Sequence, residues 1–126
     1  MKKQAEDWIT LADKDLYAAE IMSNGDYSLT NIVAFHCQQA IEKYLKAFLI
    51  ENDIPLIRTH DLIKLNGMLK EVKDLGIDEE KLIIINEIYI DSRYPGELGL
   101  LPGGAPTNIQ VKEFIEYAKE IRTKII

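Results

Sequence analysis

Apolar residues recur along this chain at the three-and-four spacing of helices, broken by a few short interruptions. Trp8, Leu11, Ala12, Leu16, Ala19 and Met22 form one stripe, which predicts a first helix over about residues 4–23, stopped by Asn24-Gly25. Val33, Cys37, Ala40, Ile41, Tyr44 and Phe48 are the apolar centre of a longer second helix over about residues 28–52, with Ser28 as a suitable N-cap. Pro55 ends it, because proline has no amide hydrogen and restricts the residue before it. Leu62, Leu65, Leu69 and Val72 predict a third helix over about residues 60–75, closed by Gly76. Gly67 falls inside it, which suggests a close helix contact or a weak turn. The fourth helix opens on Asp78-Glu79-Glu80, acids suited to a helix N-terminus. It continues through Leu82-Ile83-Ile84-Ile85, Ile88 and Ile90, apolar around most of its circumference. Such a helix is expected to be buried on several sides, at the bundle centre or in a subunit contact. Residues 93–106 are rich in glycine and proline and read as one long loop. Thr107 and Gln110 then make a capping box for a fifth helix, with Val111, Phe114, Ala118, Ile121 and Ile125 facing inward.

The pattern therefore predicts an all-α fold, an up-and-down bundle of four or five helices forming a single domain over residues 1–126. Composition adds limits. A hydrophobic content of 47% is ordinary for a globular chain, and no apolar run approaches the ~20 residues that span a bilayer. The N-terminal residues run into Glu6 and Asp7 and lack the apolar stretch of a signal peptide. A single cysteine, Cys37, cannot form an internal disulfide and lies on the core face, where it reads as a small inert hydrophobe. A cytoplasmic protein is expected, with no membrane association. The net charge of −6 is uneven, at −3, +1, −5 and +1 over residues 1–30, 31–70, 71–92 and 93–126. No broad basic face is present to coat DNA or RNA. Contact with RNA or a nucleotide would be local, in a cleft fed by the second segment and the Arg93 region.

Within helix 2 the angular step of about 100° per residue sets Lys43 at about −20° from His36, Gln39 at about −60° and Lys46 at about −80°. His36 and Lys43 thus stand together on the border of the core, where a group can be partly desolvated and still reach a cleft. Asp15 lies within the apolar stripe of helix 1 and needs a cationic or hydrogen-bonding partner, for which Lys43, Arg93 and His60 are the candidates. A structural ion pair is its expected role. Thr59 can cap the third helix, and Asp61 suits its first turn. His60 has no such local explanation. Arg93 ends helix 4 next to Tyr94, well placed for the helix dipole and equally as a phosphate clamp. Two histidines and one cysteine without HxxxH or CxxC spacing give no metal-ligand set, and neither metal nor cofactor is expected.

Taken together, Trp8 with Ala12 and Asp15-Leu16, the string FHCQQAIEKYLKAFL at 35–49, THDL at 59–62 and SRYP at 92–95 resemble the HEPN domain family. The resemblance covers nearly the whole chain. It implies a helical bundle that commonly forms a homodimer, and nucleotide- or RNA-associated work, often beside a small nucleotidyltransferase partner in toxin–antitoxin pairs. Many toxic members are metal-independent ribonucleases that use an arginine followed, four to six residues on, by a histidine. Here the positions at that spacing are Ile63, Lys64 and Leu65 after Arg58, and Leu98, Gly99 and Leu100 after Arg93; Arg122 stands too near the end. Nucleotide binding is therefore the expected function, through a cleft gathering His36, Gln39, Lys43, His60, Asp61, Arg93 and Tyr94. The alternatives are a metal-independent endoribonuclease using His36 or His60 with Arg93, and a non-catalytic dimeric interaction module built on helix 4 and the Leu98–Leu101 segment.

Overall fold

A computed structural model describes residues 1–25, 29–93 and 105–126, with the side chains of 88–93 outside that description. Among the described residues five helices follow one another: α1 Lys3–Ser23, α2 Thr30–Glu51, α3 Leu62–Lys70, α4 Glu79–Arg93 and α5 Asn108–Ile125. No strand occurs among the described residues, and none of their helices is long and apolar enough to cross a membrane. The expected Ser28 cap and the Leu98–Leu101 segment lie outside the described residues.

Helix α2 is the hub. It packs against all four other helices, and Val33, Ala34, Cys37, Ala40, Ile41, Tyr44, Leu45, Ala47 and Leu49 are almost wholly withdrawn from solvent. Of the two positions expected for the fourth helix, the bundle centre is taken by α2. On α4, Leu82 and Ile85 are buried, whereas Ile83 and Ile84 are 52% and 51% exposed. Four isoleucine or leucine residues in a row satisfy a helix on every side in sequence; among the described residues α4 packs chiefly against α2 and α3, with Lys81 reaching the Tyr117 ring of α5.

Three other readings are corrected by packing. The inward stripe of α1 is Ala5, Ile9, Ala12, Leu16 and Ala19, with Leu11 about half exposed. The small residues allow α1 to lie close along α2, its most extensive contact. Helix α3 is short, starting at Leu62 and ending at Lys70. Its N-cap is Asp61, not Thr59: the Asp61 carboxylate accepts from the Ile63 and Lys64 amides at 3.0 and 3.3 Å. Thr59 instead accepts the Asp61 amide at 3.1 Å. Gly67 marks no close approach, since a Cβ built there would meet nothing within 4 Å.

The ends of the other helices follow local chemistry. Asp53, at φ 59°, closes α2; its amide donates to the Ile50 carbonyl at 3.1 Å and the Ile54 amide to the Leu49 carbonyl at 2.9 Å. That left-handed cap turns the chain before Pro55 is reached. The capping box of α5 is formed, with the Gln110 amide donating to Thr107 Oγ1 at 3.1 Å and the Thr107 amide to Gln110 Oε1 at 2.8 Å. Arg122, near the end of α5, reaches back to Asp13 on α1 with Nε–Oδ1 at 2.8 Å and Nη2–Oδ2 at 3.1 Å, and Tyr44 donates its hydroxyl to the same carboxylate. This three-helix junction ties α5 to α1 and α2.

Candidate functional site

The polar face of α2 carries two carboxylate-centred clusters of the same composition. In the first, Asp15 from α1 meets His36 Nδ1 at 2.9 Å through Oδ1 and the Lys43 ammonium through Oδ2. In the second, Glu42 of α2 meets His60 Nδ1 at 2.8 Å through Oε1 and the Lys46 ammonium at 3.1 Å through Oε2. Each carboxylate is thus shared by one histidine and one lysine. The carboxylates are the deeper partners, at 14% exposure for the Asp15 side chain and 4% for Glu42, while the imidazoles reach 29% and 50%.

A carboxylate paired with an ammonium group has only acceptor positions to offer, so each imidazole presents Nδ1–H to it. That fixes the tautomer and turns Nε2 of the neutral ring into an acceptor. For His36, Nε2 has no hydrogen-bond partner among the described residues. The ring is held from one side by Phe35, edge-on at 6.0 Å between centroids. Lys46 lies under the ring of Trp8, 5.4 Å from its centroid, so the second cluster extends onto α1. Gln39 and Gln38 lie between the clusters. Gln39 Nε2 donates to Gln38 Oε1 at 2.6 Å, and Gln38 Nε2 donates to the His60 carbonyl at 3.4 Å, tying the segment before α3 to α2.

Of the seven residues expected to form one cleft, His36 and Lys43 converge on Asp15, and Gln39 joins the neighbouring strip. His60 belongs to the Glu42 cluster. Asp61 is engaged in capping α3, and its Oδ1 also accepts from Asn86 Nδ2 at 3.1 Å, with Asn86 Oδ1 accepting the Leu62 amide at 2.8 Å. Arg93 is the last residue of α4; its side chain, and Tyr94 altogether, lie outside the described residues. Sequence reasoning missed Glu42, Lys46 and Gln38. Glu42 and Lys46 stand four apart on one helix, a spacing that usually means a solvated surface pair, and nothing in the pattern marked this pair as buried. The signal present was angular: Gln38 and Glu42 fall one turn apart beside the apolar stripe.

Cys37, completely buried two turns from Tyr44, has its thiol pushed up to about 12 by desolvation, with the Glu20 charge adding to it. It is a packing residue and supplies no thiolate at neutral pH. No group of three or more metal-binding side chains occurs among the described residues.

The HEPN domain family matches residues 5–125, and the chain belongs to that family. Two crystal structures share its architecture. ST0689, an archaeal HEPN homologue, is 27% identical with a TM-score of 0.72, over 99% of this chain and 96% of that one. TT1696 from Thermus thermophilus is 24% identical with a TM-score of 0.77, over 98% and 97%. No functionally curated protein matches the chain significantly.

Proposed function

We propose that this HEPN protein binds a nucleotide at the polar face of α2 and works as the HEPN half of a toxin–antitoxin pair with a nucleotidyltransferase. The observation that carries the reading is the convergence of His36 and Lys43 on Asp15 at the edge of the core. A lysine ammonium that donates, beside an imidazole whose Nε2 becomes a donor only in the protonated ring, both held by one mostly buried carboxylate, forms a preorganised place for a phosphate group. Lys43 would contact phosphate, His36 and Gln39 would offer hydrogen bonds, and Arg93 and Tyr94 would add a clamp and a stacking surface. The half-exposed Ile83 and Ile84 on α4 offer apolar surface to a second copy in a homodimer or to the partner enzyme.

Isothermal titration with AMP, ATP and GTP is expected to give saturable binding that weakens by at least about tenfold in Lys43→Ala, the loss of one charge-assisted contact of about 1.5–3 kcal/mol. Flat titrations at millimolar ligand remove the reading. Cleavage of RNA in the presence of EDTA, abolished by His36→Ala, would turn the same pair of residues from a binding site into a catalytic one.

A further inference from the structure

The charge balance of the Asp15 cluster has a consequence for any anion bound there. With His36 neutral, the Lys43 ammonium and the Asp15 carboxylate cancel, and the cluster offers a phosphate no net charge. With His36 protonated on Nε2, the cluster carries +1 and presents a second N–H donor at the more exposed position. Among the described residues the charged groups gathered with His36 are Asp15 from α1 and Lys43 from α2. At the second cluster the Glu42 carboxylate meets His60 and Lys46, with Lys46 under the Trp8 ring.

We infer that the α2 site takes up its anionic ligand together with a proton, which resides on Nε2 of His36, so that binding of a phosphodiester is gated by pH. The inference rests on the nucleotide-binding reading above and adds its regulation. Two features of the geometry support it. Asp15 can hold Nδ1–H in both protonation states, so protonation requires no rearrangement of the ring. Asp15 and Lys43 are withdrawn from solvent, at 14% and 22% exposure, so water screens the bound anion less there than on an open surface. Because the bound state holds one proton more than the free state, affinity rises as pH falls.

The test is titration of the wild-type chain with the dinucleoside monophosphate ApA, whose single phosphodiester charge is constant over the range used. Affinity should fall as pH rises, by up to about tenfold per pH unit, the limit for one linked proton. Repeating the titration in two buffers of different ionisation enthalpy should show net uptake of up to one proton per ApA. His36→Gln should bind weakly with a flat pH profile. Asp15→Asn, which frees the Lys43 charge, should bind ApA at alkaline pH about as well as the wild type does at acid pH. Saturable binding with equal affinity from about pH 5.5 to 8.5 and no proton uptake overturns the inference and leaves nucleotide binding standing. Absence of ApA binding at every pH, alongside flat nucleotide titrations, overturns both.

Discussion

Glu42→Ala is expected to destabilise the protein by about 3–5 kcal/mol, the cost of leaving a buried charge without its counterion. The Glu42 side chain is 4% exposed and is the shared acceptor of Lys46, itself 9% exposed, and of His60. Once the carboxylate is gone, the Lys46 ammonium must stay in a poorly solvated position against Trp8 or pull α1 away from α2 to reach water. The segment before α3 also loses the ring contact that, with Gln38, attaches it to α2. Urea unfolding should show the midpoint lowered by about 2 M for a slope near the middle of the usual range. The paired change Glu42→Leu with Lys46→Met should recover most of the loss, because it removes both charges and keeps the volume. A single variant within about 0.5 kcal/mol of wild type would mean that Lys46 is solvated in solution and that the cluster is a surface pair.

The second large effect is at Tyr44, fully buried at the centre of α2. Tyr44→Ala should cost about 3–5 kcal/mol, from the lost transfer of a large ring and the cavity left in the core. Tyr44→Phe separates packing from polarity. It removes only the hydroxyl donated to Asp13, with an expected cost of about 1 kcal/mol. The Arg122 guanidinium is the main cause holding the Asp13 carboxyl below its usual range, opposed by desolvation and assisted by Tyr44. A carboxyl whose folded value is lowered contributes stability above its unfolded value and loses it as pH falls through the folded one. The Asp13 junction should therefore weaken in acid, and the difference between Tyr44→Phe and wild type should shrink there. Chemical unfolding at neutral and acid pH measures both.

Much of the fold was legible in the chain. Helix number and order, the stop after Ser23, the Thr107–Gln110 capping box and the inward residues of α5 follow from periodicity and from backbone groups that need partners. The errors share one physical origin: sequence reports which residues avoid water, not which neighbour covers them. Ile9 and Leu11 are both apolar, and only the position of α2 decides that Ile9 is buried. The row Leu82–Ile85 reads as buried throughout, yet the described residues leave Ile83 and Ile84 about half exposed. At the site, angular reasoning put His36 and Lys43 together because both lie on one rigid helix. It could not join Glu42 to His60, since that contact depends on the path of the segment between α2 and α3. Nor could it see that Asp61 would be used as a cap, which removes it from the set of residues open to a ligand.

Nuclear magnetic resonance of the histidine side chains tests the central claim most directly. In uniformly 15N-labelled protein, the imidazole nitrogens of His36 and His60 can be observed separately from the backbone while AMP is added. The account predicts that Nδ1 of His36 remains protonated on Asp15 throughout, while Nε2 moves along a saturable curve toward the protonated position and does so less in Lys43→Ala. A His36 Nε2 resonance that stays fixed as backbone amides of other helices report saturation would place the nucleotide elsewhere and contradict the assignment of this site.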